Sequence, residues 1–182
     1  MMLVWAASST ISYQPDIWDL PMPGKVRCPF IIAVDTREQA PYRFADIAVD
    51  RRDAVYDVTT VRQTLGEGDY QLDSRPDWIA IERKSMADLF GTLGQRRACF
   101  AREMERLAKY RRAAVVVEAE LSTVLRAPPP RSRLRPKVIS RTAQSWWVRY
   151  GIPWFFLPGR VAAERFVFRT LWQAHRHFED SQ

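Results

Sequence analysis

Residues 68–88 read GDYQLDSRPDWIAIERKSMAD, and the order of residue types within this segment decides how it folds. Tyr70 and Leu72 alternate with polar residues, Ser74-Arg75-Pro76-Asp77 is a cluster of turn formers, and residues 78–84 run from apolar into charge. Short alternating runs on both sides of a turn cluster predict a β-hairpin. A reversal between Arg75 and Pro76 sets Asp69 opposite Glu82, and opposed residues of an antiparallel pair hold their Cβ atoms ~5 Å apart. Successive side chains leave opposite faces of a strand, so Glu82 and Lys84 share one face, with Asp69 and Gln71 across from them. Tyr70, Leu72, Ile79 and Ile81 then point into a core on the other face.

Two carboxylates held that close repel each other and need a cation, a shared proton or open water. The neighbouring Lys84 and a net charge of +7 favour the first, an anionic substrate bridged by a divalent ion. Donors that are all oxygen favour a hard cation, Mg2+ with Mn2+ able to substitute, over zinc. A metal so placed lowers the pKa of a bound water and neutralises charge on a scissile phosphate. Lys84 can position or deprotonate that water, or stabilise the developing oxyanion. On spacing alone a second arrangement stays open: an exposed hairpin end whose Asp, Glu and Lys form a surface ion-pair cluster contributing little.

Working outward, a chain of 182 residues with 47% apolar content suits one globular domain with a full core. Residues 1–28 contain Pro15, Pro21, Pro23 and Gly24 without a sustained period and read as an extended arm, packed by Trp5 and Trp18, ahead of a domain over 29–182. Strands are expected at 30–34, 55–65, around Tyr70 and Leu72 ahead of the turn, and at 78–84, 113–119 and 153–157. Helices are expected at 86–94, 97–110, 139–150 and 161–178, with an irregular loop over 39–57. Phe100, Met104 and Leu107 form an apolar stripe at helical spacing. Strands mixed with helices in this order give an α/β domain. Cys28 and Cys99 lie far apart in no ligand spacing, which suggests a reducing compartment. No apolar run approaches the ~18 residues of a membrane span, and the apolar opening has no basic residue before it. The expected location is cytoplasmic, associated with the nucleoid or, for a phage-encoded protein, in the host cytoplasm.

The segment GDYQLDSRPDWIAIERKSMAD resembles the GD…ERKxxxD core of the XPF-type structure-specific nucleases, a branch of the restriction-endonuclease-like fold. VDTRE (34–38) resembles the upstream acidic element of that family, RRACFAREMERLAKYRRAAVVVE its next helix and strand, and YGIPWFFLPGRVAAERFVFRTLW its last strand and helix. The resemblance implies a central mixed sheet flanked by helices, and cleavage of phosphodiester bonds in branched, flap or junction DNA during recombination or repair. It further implies that Asp69 and Glu82 ligate the metal, with Asp35 contributing directly or through water, and that Lys84 is the catalytic lysine. Arg83 is expected to hold a phosphate or the frame of the site, although alternation points it away from Glu82. Arg37 and Glu38 are expected to support the ligands from behind. Asp88 belongs to the family motif, yet Ser85-Met86-Ala87-Asp88 also reads as a capping box at a helix start.

The stretch from Leu121 to Ala163 carries basic residues and no acidic one. Arg131, Arg133, Arg135 and Lys137 lie in its proline-rich part, where restricted freedom lowers the entropy lost on ordering against a phosphate backbone. Arg96 and Arg97 start a second basic set on the helix after the active-site strand. These residues form the expected DNA surface. XPF-type proteins often add helix-hairpin-helix motifs after the nuclease domain and often pair through it. The last helix carries Phe166, Phe168, Leu171, Trp172 and Phe178, with Trp146, Trp147 and Trp154 nearby; most are expected in the core, yet so many large aromatics also suggest a homodimer through the C-terminal region. His175 and His177 diverge on a helix and are not expected to hold a metal. The rivals to a structure-specific nuclease are a nuclease indifferent to branching and a same-fold, non-cleaving DNA-binding or scaffolding subunit.

Overall fold

In the computed structural model, whose described residues are 24–50, 52–130 and 132–179, β3 (Tyr70–Leu72) and β4 (Arg75–Lys84) form the expected antiparallel ribbon. Trp5, Trp18, most of the arm and Arg131 lie outside the described residues. Tyr70 pairs with Ile81 and Gln71 with Ala80, the register that brings Asp69 beside Glu82. The reversal differs from expectation: it falls at Asp73 and Ser74, and Leu72 pairs with Arg75. The residues between Arg75 and Ala80 have no partner on β3. Pro76 sits among them, and a residue without an N–H belongs at such an irregularity.

Four further strands, β1 (Gly24–Asp35), β2 (Ala54–Gln63), β5 (Arg112–Val117) and β6 (Trp154–Phe156), complete a sheet of order β2-β1-β3-β4-β5-β6. β1 is longer than the 30–34 expected, and its register against β2 shifts between Arg27 and Ile31, around Pro29. β2 is parallel to β1, β3 is antiparallel to both neighbours, and β4, β5 and β6 are mutually parallel. β3 therefore runs against all the others. The carboxyl ends of β1, β4, β5 and β6 open on one edge of the sheet, where β3 begins. Such an edge is where open α/β sheets hold ligands.

One face is covered by α5 (Arg160–Glu179) and by residues 42–47: Ile32, Val34, Ile81 and Val116 pack with Phe44, Val167, Phe168 and Leu171. The other is covered by α1 (Met86–Gly94), α2 (Arg97–Leu107), α3 (Leu121–Arg126) and α4 (Pro136–Tyr150). There Ala80, Val115 and Val117 meet Leu89, Leu93, Phe100, Met104 and Ile139. Period-2 alternation along β4 sends Ile79 and Ile81 toward α5 and Ala80 toward α1 and α2. Glu82 and Lys84 follow Ala80, while Arg83 follows Ile81.

One element falls where none was expected. The six-residue α3 occupies the stretch before the proline-rich loop; a helix that short is stabilised by tertiary packing, here through buried Val124. The C-terminal aromatics are mostly core, as expected: Phe168 is buried, and Phe166 and Trp172 pack against the same cluster. Exposed apolar side chains include Trp147 at 59% and Val148 at 82% on α4, Leu121 and Leu125 on α3, Val161 at the start of α5, and Ile31 and Val61 on β1 and β2. Among the described residues no helix is long and apolar enough to cross a membrane.

Candidate active site

Asp69 is positioned by backbone on both sides. Its N–H donates to the Ile81 carbonyl at 2.8 Å, and its carbonyl accepts from the Asp35 N–H at 3.0 Å. Gly68 makes this possible: its φ is +75°, and a Cβ there would stand 3.2 Å from the Ile81 oxygen and 3.3 Å from the Ala80 Cβ. The half-buried Asp69 carboxylate then accepts the Arg83 backbone N–H at 2.7 Å. Glu82, 4% exposed, projects from β4 into the same cleft. Its carboxylate pairs with the Lys84 ammonium, which also lies 4.7 Å from the centre of the Phe100 ring.

The cleft encloses about 410 Å3 at the carboxyl edge of the sheet, with Asp69, Glu82 and Lys84 in its wall beside Glu38, Asp88 and Glu103. Burial, with the Glu82 charge behind it, raises the Asp69 carboxyl well above the usual carboxylate range. The same two causes push Glu103 up to about 8. For Lys84, burial opposes the charge, but Glu82, Glu103 and Asp69 outweigh it and hold the ammonium above the ordinary lysine range. Glu82, Glu103 and Asp69 thus gather around the Lys84 ammonium.

The other expected residues divide into those in the cleft and those behind it. Asp35, expected as a ligand, does not line the cleft. Its Oδ1 accepts from the Arg37 backbone N–H and Nε, both at 2.7 Å, and its Oδ2 from Arg37 Nη2 and the Leu65 N–H, both at 2.9 Å. Burial would raise this carboxyl, but those bonds outweigh it and hold it below the usual range. Glu38 reaches the cleft and accepts from Arg83 Nη1 at 3.1 Å and from the Ala40 N–H at 2.6 Å. Arg83 itself is clamped by the Glu118 carboxylate, Nε to Oε1 and Nη2 to Oε2 at 2.8 Å each. Asp88 caps α1 through the Ser85 hydroxyl rather than through the Ser85 backbone N–H that a capping box uses. Its N–H donates to Ser85 Oγ at 3.1 Å and its Oδ2 accepts the Ser85 hydroxyl at 2.6 Å, while it remains exposed at the cleft.

Of the expected DNA-facing residues, Arg96 lines the cleft, and Arg133, Arg135 and Lys137 are exposed. Arg97 is tied to α4 through Thr142 Oγ1 at 2.7 Å and stacks 5.1 Å from the Trp146 ring. Three contributors escaped the sequence reading. Glu103 shares the buried face of α2 with Phe100, Met104 and Leu107, and an acid inside an apolar stripe was the available signal. Glu118 ends the apolar β5 as Glu82-Arg83-Lys84 ends β4. Tyr110, whose hydroxyl accepts the Glu67 N–H at 3.1 Å and the Gln71 amide at 3.2 Å, braces the loop before Asp69 and gave no local signal.

The donor set fits a hard divalent cation: two neighbouring carboxylates, all oxygen, one of them held back from ionising by burial and by the charge of the other. Among the described residues no group of three His, Cys, Asp or Glu side chains forms a ready metal cluster. Mg2+ characteristically takes one or two carboxylates and completes its shell with water and substrate phosphate.

The ERCC4 domain family matches the sequence over residues 34–169. Among solved structures the fold is similar to XPF from Aeropyrum pernix, at 20% identity and a TM-score of 0.61, covering 83% of this chain and 68% of that one. It is also similar to the same protein in complex with DNA, at 21% identity and a TM-score of 0.57, covering 83% and 66%. A search of curated protein sequences returns no match. With the GD element leading into β3 and the ERK element ending β4 at the carboxyl edge of the sheet, and a family match that spans most of the sequence, this chain belongs to the ERCC4 domain family.

Proposed function

We propose that this chain is a divalent-metal-dependent DNA endonuclease that hydrolyses phosphodiester bonds in branched, flap or junction DNA. The observation that carries the reading is the meeting of Asp69, Glu82 and Lys84 in one cleft at the carboxyl edge of the sheet. Asp69 and Glu82 are the residues to hold Mg2+ or Mn2+. When bound, such an ion supplies charge neutralisation at the scissile phosphate and acidifies water. Lys84 presents its ammonium to the same space, where it orients the attacking water or neutralises the oxyanion. Arg96 at the cleft, with Arg133, Arg135 and Lys137 on the exposed basic stretch, offers phosphate contacts that position DNA without reading its sequence. The presence of all three polar groups weighs against a non-cleaving scaffold.

Self-association through the exposed apolar side chains of α3 and α4, rather than through the buried aromatics of α5, is the second part of the reading. The test of function is a cleavage assay on flap, fork, Holliday-junction and linear DNA in Mg2+, Mn2+ and EDTA. Cutting of branched substrates that needs the metal is the expected result. Equal cutting of linear duplex removes the structure specificity, and binding without cutting leaves the scaffold.

A further inference from the structure

We propose that Glu118 is a positioning residue of this centre: by holding the Arg83 guanidinium it fixes the backbone N–H that orients Asp69. The proposal rests on the nuclease reading above. Arg83 invites a different role, since an arginine beside two catalytic carboxylates is an obvious phosphate ligand. Arg83 does border the cleft, but its partners oppose that role. The side chains of Arg83, Glu38 and Glu118 are only 9%, 8% and 8% exposed. Glu118 takes the guanidinium through two parallel bonds of 2.8 Å, the geometry in which Arg–carboxylate pairing is most directional. Glu38 takes a third N–H at 3.1 Å, and the Tyr42 ring centre lies 5.6 Å from the guanidinium carbon.

The pair is part of a larger bracket. Glu118 Oε1 also accepts from Arg160 Nη1 at 3.2 Å, and Arg160 Nη2 donates to the Ala40 and Pro41 carbonyls at 2.8 Å each. Two arginines facing two glutamates leave no excess positive charge to draw a phosphate. What the bracket does accomplish is mechanical. It joins the ends of β4 and β5, the loop after β1 and the start of α5, and the Glu118 N–H adds a bond to the Lys84 carbonyl at 2.9 Å. Arg83 is thereby held by its side chain on the α5 face while its N–H donates to Asp69 Oδ2. Asp69 is pushed away by Glu82, so a fixed donor decides where its carboxylate points.

The experiment compares the full chain with Glu118→Gln and Glu118→Asp. Glu118→Gln keeps the shape and removes the charge that grips Arg83; outer partners of metal-binding carboxylates typically matter at the level of about 10–100-fold. The expected result is a fall of that size in kcat and in Mn2+ affinity measured calorimetrically without DNA. Arg83 amide hydrogen exchange should quicken, DNA affinity in EDTA should stay within about twofold, and Glu118→Asp should recover part of the loss. Unchanged Mn2+ affinity and unchanged Arg83 exchange overturn the proposal, as does a loss confined to DNA affinity. If wild-type protein does not cut DNA, the nuclease reading fails, while Mn2+ affinity and Arg83 exchange still decide the role of Glu118. Should Glu118→Gln not fold, Arg83→Lys, which keeps the charge and the N–H but not the paired bonds, carries the same expectations.

Discussion

The Arg83 backbone N–H donates to Asp69 Oδ2 at 2.7 Å, although the Arg83 side chain is committed to Glu38 and Glu118 on the α5 face of the sheet. A single residue thus serves both sides of β4. All three residues of the triplet Glu82-Arg83-Lys84 border the cleft, but the pleat splits their side chains, and the guanidinium of the middle one is taken up by a buried ion network. Breaking such a buried pair from one side leaves an uncompensated charge, which is far more costly than losing an exposed one.

Asp69→Asn or Glu82→Gln should reduce cleavage to background while DNA binding in EDTA is kept, as a nicking assay beside an electrophoretic shift will show. Turnover retained in Mg2+ removes both residues from the metal site.

The same crowding makes a stability prediction of opposite sign. In metal-free buffer Asp69→Asn removes one of two mutually repelling carboxylates, so its melting temperature should equal or exceed that of wild type. Mn2+ at a hundred times its Kd stabilises the wild type by about 2.7 kcal/mol, and the variant should gain much less. Thermal melts with and without Mn2+ check this; equal gains in both proteins place the ion elsewhere.

Gly68→Ala forces a Cβ into backbone space beside Ile81 at a positive φ. The cost should be about 1–3 kcal/mol in urea unfolding, with cleavage reduced further than stability accounts for, because Asp69 is the next residue. A variant as stable and active as wild type would show that the turn relaxes freely.

Replacing Arg133, Arg135 and Lys137 by Gln should weaken DNA binding and flatten its salt dependence, by about 0.9 in the log–log slope for each duplex phosphate no longer neutralised. An unchanged slope takes this stretch off the DNA path.

Sedimentation at micromolar concentration should report a dimer that Trp147→Glu converts to monomer, given a Trp147 side chain 59% exposed beside Val148. A wild-type monomer rejects self-association, and a dimer indifferent to Trp147→Glu moves the interface away from α4.

Much of the fold was legible because it follows local rules. Alternation around Pro76 predicted the ribbon, the apolar spacing of Phe100, Met104 and Leu107 predicted α2, and Ser85 marked the start of α1. The turn itself was misplaced because residues such as Asp73, Ser74 and Pro76 are all acceptable at a reversal, and only pairing with β1 on the far side of β3 selects among them. α3 was invisible because its stability comes from what Val124 packs against.

The site divides in the same way. Sequence alone brought Asp69, Glu82 and Lys84 to one face, since strand periodicity and one hairpin register are short-range properties of the chain. Whether Asp35 is open or consumed, whether Arg83 meets phosphate or carboxylate, and that Glu103 and Glu118 attend the site at all were decided by tertiary structure. Those outcomes depend on which strand ends share an edge of the sheet, and charges separated by tens of residues acquire partners only once that edge is assembled.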